Sequence, residues 1–149
     1  MGQFRIDMLD CSSATLVAAS TRLIVRAFAD PERYNAARVE REIAADDSVF
    51  YRRFFVAMSA GEVLGIGGIK AAEWASHTHI LYLSAVSPEQ RGRGIGRALI
   101  KARLEWLQKS FDAGRILVSA SKSRRFRDLG FQEVRNSRVD DKRLMLLRF

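Results

Sequence analysis

The chain carries a single cysteine, Cys11, among its 149 residues. One thiol excludes an internal disulfide framework and fits a reducing compartment. Only two prolines occur, with no repeat, low-complexity tract or linker-like stretch, so residues 1–149 are expected to form one domain. No apolar run approaches the ~20 residues that a membrane span requires. The opening "MGQFRIDMLD" lacks a cationic region followed by an apolar run, which argues against a secretory signal. Gly2 is not part of a myristoylation motif either, because position 6 is Ile6 where that motif needs Ser or Thr. These absences lead us to expect a cytoplasmic protein with no membrane partner and no metal.

What is present has ordinary globular proportions, 48% hydrophobic and 28% charged, unlike a disordered chain. The charge is unevenly placed. Residues 1–90 hold 9 Lys/Arg against 11 Asp/Glu, whereas residues 91–149 hold 16 against 6. A field of that sign in one half favours an anionic partner. Nucleic acid is not expected, since the basic half has no interleaved stacking aromatics and no helix-turn-helix pattern.

Periodicity predicts the order β-α-α-β-β-β-α-β-α-β-β, an α/β chain with a mixed sheet flanked by helices. "FRIDM" alternates as a first strand, and Ser12 or Ser13 caps the helix after it. A second helix is expected from Asp30 as N-cap, with Pro31 at the first helical position. "RRFFVAMSA" and "EVLGIGGIKAAEW" form a hairpin about Ala60-Gly61, and "HTHILYLSAV" is a central strand. From Ile95 to Phe111 the spacing is helical, with Ile95, Leu99, Ala102 and Trp106 on one side and Arg97, Lys101, Glu105 and Gln108 opposite. "RILVSAS" is a strand, "SRRFRDLGF" a short helix ended by Gly130, and "FQEVRNSR" and "RLMLLRF" are two last strands.

The glycines of "SPEQRGRGIGRALI", residues 87–100, stand where a helix should begin. A strand, a glycine-rich turn and a helix in succession make an anion site. The first helical amides have no intrahelical acceptor, and the dipole places partial positive charge there. Two phosphate motifs fail on detail. A P-loop ends in Gly-Lys-Ser/Thr, but Gly96 is followed by Arg97 and Ala98. A dinucleotide fingerprint needs G-x-G-x-x-G, whereas this run is Gly92-x-Gly94-x-Gly96, and Asp112 precedes the next strand instead of ending it.

The stretch "VSPEQRGRGIGRALI" resembles motif A of the GNAT superfamily of acetyl-CoA-dependent N-acetyltransferases, Gln/Arg-x-x-Gly-x-Gly/Ala, filled here by Arg91, Gly94 and Gly96. "RILVSASKSRRFRDLGF" resembles motif B, a strand and a short helix ending in Leu-Gly-Phe. The resemblance is sharp from Leu83 to Phe131 and holds in outline over most of the chain. It implies a mixed, mostly antiparallel sheet, acetyl-CoA as cosubstrate, a primary amine of a small molecule or protein as acceptor, and the homodimer as a common assembly among relatives. It implies that Arg91, Gly92, Arg93, Gly94, Ile95, Gly96 and Arg97 hold the pyrophosphate of coenzyme A. The pantetheine arm would lie beside Ala85 and Val86, where a bulge would splay this strand from "RILVSAS". Arg93, Arg97, Lys122, Arg124 or Arg125 would meet the remaining phosphate charge.

The resemblance also exposes a departure. Many members place a tyrosine, the proton donor to the leaving thiolate, where this chain has Phe126; its ring can pack against pantetheine but cannot donate. Ser119 and Ser121 are the alternatives at the preceding strand end. The glutamate that serves some members as base corresponds to Ile80, which leaves His79 as the candidate base, with His77, Tyr82 and Glu73 nearby. Trp74 and Tyr82 are candidates for lining the acceptor pocket. The alternative reading is a GNAT-fold module that binds coenzyme A with little turnover.

Overall fold

A computed structural model describes residues 3–149; Gly2 and its myristoylation test lie outside them. The elements run β1 (Arg5–Met8), α1 (Ala14–Phe28), α2 (Ala36–Ile43), β2 (Arg52–Ser59), β3 (Glu62–Ala71) and β4 (Thr78–Val86). A single 3-10 turn, Pro88–Gln90, leads to α3 (Ile95–Ser110), β5 (Arg115–Ala120), α4 (Arg124–Asp128), β6 (Gln132–Glu133) and β7 (Arg143–Arg148). This is the order expected from periodicity. The strands form one sheet in the order β1-β2-β3-β4-β5-β7-β6. Every neighbouring pair is antiparallel except β4 with β5.

Alternation along β2 shows how the layers are filled. Phe54, Val56 and Met58 face Val17 and Ile24 of α1 and Val39 and Ile43 of α2. Phe55 and Ala57 face the other way, into a cluster with Ile95, Leu99 and Leu107 of α3 and Phe126 of α4. Both faces of the central strands are therefore apolar and covered by helices, which stabilises the sheet by burial on each side.

Local signals set most boundaries. Ser13 caps α1 by accepting the Leu16 amide at 3.3 Å. Ala60 and Gly61 take φ of 49° and 78°, the paired positive values of a two-residue hairpin turn. The start of α2 differs from expectation. Asp30 accepts the Arg33 amide at 3.3 Å and closes one turn with the Tyr34 amide, but the turn does not propagate. Phe28 and Tyr34 stack across it at 4.4 Å. Asn35 then caps α2, its side chain accepting the Arg38 amide at 2.9 Å, so the helix begins five residues after Pro31. β6 is likewise shorter than "FQEVRNSR", because Asn136 turns the chain with φ of 58°.

Candidate functional site

The end of β4, the loop behind it and the start of α3 make one continuous feature. Ser87 to Gln90 form the 3-10 turn, in which the Gln90 amide bonds the Ser87 carbonyl at 2.9 Å. Gly92 and Gly94 follow at φ of 82° and 81°, a left-handed backbone that glycine adopts without steric cost. Gly94 is the N-cap of α3 and contributes no side chain to its amides. The first turn of α3 contains no acidic residue, so the amides of Ile95, Gly96 and Arg97 are left for an external acceptor. A Cβ on Gly92 or Gly94 would touch nothing within 4 Å, so that backbone stands open to approach.

The surrounding charge suits an anion. Arg91 and Arg97 are exposed, and the Arg125 guanidinium reaches from α4 to within 2.8 Å of where a Gly96 Cβ would stand. Arg93 is held by the Gln90 side chain and lies 5.8 Å from the Phe4 ring centre. The nearby carboxylate, Glu89, is engaged elsewhere, with Ser87 Oγ at 2.7 Å and Arg26 at 2.8 Å. Those contacts, the serine first, pull its carboxyl down to about 2.

Beside the loop the sheet opens. β4 and β5 pair only from Thr78–Ile80 with Arg115–Leu117, although β4 runs on to Val86 and β5 to Ala120. β4 also bulges. Tyr82 opposes Gly68 and Ala85 opposes Ile66, so Leu83 and Ser84 together face Gly67 alone. Leu83 takes a φ of 50°, uncommon for a side chain of its size. The bulge expected beside Ala85 and Val86 is thus present, and it adjoins the divergence.

Fold and sequence now agree. Residues 21–131 match the sequence profile of the acetyltransferase (GNAT) family. The chain belongs to the GNAT family. Its structure is similar to Escherichia coli ElaA at a TM-score of 0.79 and 16% identity, covering 97% of this chain and 99% of that one. The E. coli ribosomal-protein-S18-alanine N-acetyltransferase follows at 0.73 and 19%, covering 98% and 94%. The PaiA N-acetyltransferase of Thermoplasma acidophilum, solved in complex with coenzyme A, is similar at 0.72 and 15%, covering 99% of each. At such identities the likeness is one of fold. Curated protein sequences contain no match to the chain.

In this GNAT protein the residues from Ala85 to Arg97 lie together on the loop side of the opening. The candidates from motif B and the strand start do not all join them. Phe126 is buried at 9% exposure, its ring edge-on to Phe131 at 5.4 Å, so it is part of the core. Ser119 and Ser121 are exposed. Ser119 alternates with Val118 and Ala120, which belong to the α3-side core, so it faces away from α3.

His79, expected as a base, is enclosed instead. Only 4% of it is accessible. Its Nδ1 shares a 2.5 Å hydrogen bond with the Tyr51 hydroxyl, and its ring lies 4.6 Å from Phe111 and 6.2 Å from Phe149. Its Nε2 has no hydrogen-bond partner among the described residues. Burial, and secondarily His77, lowers its pKa below the usual value. Six residues separate it from Ala85, roughly 20 Å along a strand. Trp74 is 72% exposed in the β3–β4 connection. Tyr82 donates to Glu42 of α2 at 2.6 Å, and burial first, then that carboxylate, raises its pKa.

Sequence reasoning missed Arg103. It is 1% exposed and donates from Nε to the Leu99 carbonyl at 3.0 Å and from one terminal nitrogen to the Gly68 carbonyl at 2.9 Å. The same nitrogen donates to Ser84 Oγ at 3.0 Å. Among the described residues it pairs with no carboxylate. Burial lowers its pKa, yet a guanidinium stays charged at neutral pH. One signal was legible: Arg103 continues the Ile95–Leu99 spacing of four onto the buried face of α3.

Proposed function

We propose that this chain transfers an acetyl group from acetyl-CoA to a primary amine of a small molecule or a protein. One observation carries the reading: an α3 start capped by Gly94, with no acidic residue in its first turn, adjoins a bulged strand that has parted from its parallel neighbour. The first part suits the pyrophosphate, through amides from Arg91 to Arg97 and the Arg125 guanidinium. The second suits an extended thioester arm laid along Ala85 and Val86. Family membership supports the reaction class, and the PaiA complex with coenzyme A supports the donor.

The amine attacks as a neutral lone pair, so its proton must leave first. We assign that proton to water in the opening, since His79 is enclosed by Tyr51, Phe111 and Phe149. Backbone amides near Val86 would stabilise the charge that develops on the thioester oxygen. No described helix is long and apolar enough to cross a membrane, and Cys11 is a free thiol, which supports a cytoplasmic placement.

A second reading, coenzyme A binding with little turnover, is favoured by Phe126, whose place in the core supplies no hydroxyl. Calorimetry with coenzyme A, run beside thiol release from acetyl-CoA over a panel of amines, decides between them. Binding with amine-dependent thiol release is expected. Binding without release supports the second reading, and no binding overturns both.

A further inference from the structure

Ser84 stands in the β4 bulge, past the last β4–β5 pair, and its side chain is exposed. Its Oγ accepts a hydrogen bond from Arg103 at 3.0 Å. A guanidinium can only donate, so the serine oxygen is the acceptor and its own hydrogen is not used in this bond. Among the described residues that hydroxyl has no acceptor. The donor beneath it is a buried cation that pairs with no carboxylate among the described residues, so the bond is charge-assisted and polarises the hydroxyl. The other hydroxyls near the opening differ: among the described residues the side chains of Ser119 and Ser121 have no hydrogen-bond partner, and Ser123, which accepts from Arg143 at 3.3 Å, is buried where Ser84 is exposed. The space for Arg103 is itself built in, because only Gly67, with no Cβ, leaves room for its guanidinium.

We propose that Ser84 is a catalytic hydrogen-bond donor to the sulfur of the acyl donor, stabilising the thiolate as it departs, and that Arg103 is the positioning residue that orients and polarises it. This rests on the acyl-CoA reading above. As the amine nitrogen bonds to the carbonyl carbon, the carbon–sulfur bond breaks and its electron pair goes to sulfur. The proton lost by the amine passes to water and in time neutralises the thiolate. Ser84 keeps its own proton throughout, because a thiolate, with a conjugate-acid pKa near ~8.5, is far too weak a base to take it. The site thereby supplies from β4 the donor that Phe126 does not supply from α4.

The charged group that contacts Ser84 is Arg103 from α3; farther along the same edge, Arg125 from α4 stands at Gly96, beside the Val86 side chain. Gly67 and Gly68 of β3 bring none. Both cations act in the same direction, favouring a bound thiolate. The test is therefore thermodynamic: affinities of coenzyme A and of desulfo-coenzyme A, which lacks the thiol, measured by calorimetry at pH 6.5 and 9.5. In the wild type the ratio of the two affinities should rise roughly tenfold with pH, the effect of a bound thiol pKa about one unit lower. In Ser84→Ala the rise should vanish while desulfo-coenzyme A binds unchanged, and Ser84→Thr should keep it. Retained desulfo-coenzyme A affinity also shows that each variant is folded. A flat ratio in the wild type, or an undiminished rise in Ser84→Ala, overturns the role of Ser84 and leaves the acyl-CoA reading standing. Failure of the wild type to bind either ligand overturns both.

Discussion

A Cβ placed on Gly67 would stand 2.5 Å from Cζ of Arg103. The glycine in β3 and the arginine in α3 thus share one volume, and neither can change alone. Gly67→Ala should push the guanidinium off its bonds to the Gly68 carbonyl and Ser84 Oγ. Overpacking a close-fitted interior costs about 1–3 kcal/mol, or roughly 2–12 °C in a chain of this size. Thermal unfolding by circular dichroism measures it, and a melting temperature within a degree of wild type would show that α3 has slack.

Gly94→Val separates binding from folding. The φ of 81° at Gly94 suits no β-branched residue, and the left-handed backbone costs a side chain about 1–2 kcal/mol. A Cβ there meets no atom of the chain, so the fold should survive with a melting temperature a few degrees lower. Coenzyme A affinity should fall at least tenfold by calorimetry. Unchanged affinity would refute the assignment of the loop.

The start of α2 predicts an asymmetry between two caps. Asn35→Ala removes the acceptor of the Arg38 amide and should cost about 1 kcal/mol. Asp30→Ala removes only the longer 3.3 Å contact to Arg33 and should cost less. Paired urea titrations give the order, and the reverse ranking would restore Asp30 as the helix cap.

His79 predicts an acid-sensitive step above the carboxylate range. Burial depresses its pKa in the folded chain, so the unfolded chain takes up the proton first as pH falls. Its contribution to stability is complete above about pH 6.5 and is lost progressively below it. The depressed carboxyls of Asp10, Asp46 and Glu89 act only at lower pH, which leaves the interval from 7 to 5 to the histidine. Melting temperature should decline across that interval in the wild type and stay level in His79→Phe. Equal slopes in the two proteins would contradict this account.

Much of the molecule is legible in order of residues because its causes are local. The glycines at 92 and 94 answer to φ at their own positions, the Ala60-Gly61 turn to two positive φ values, and Ser13 to an amide three residues on. The strand, loop and helix from Leu83 to Ser110 therefore read directly from their letters, as does the basic excess after residue 90. Asn35 was missed because Asp30-Pro31 carries the same capping signal, and local chemistry alone does not rank two adjacent caps.

The rest depends on groups that meet only when the sheet closes. Arg103 looks like one more surface cation until the Gly68 carbonyl, 35 residues earlier, accepts from it. His79 reads as a titratable strand end until Tyr51, 28 residues away, and Phe111 enclose it. Sequence by itself determined the glycine loop proposed to hold the coenzyme's phosphates, because backbone conformation and unpaired amides are properties of neighbours. Tertiary structure alone decided which side chains face the opening. Burial and hydrogen-bond partners come from other segments, and they set whether a polar group is core, support or chemistry.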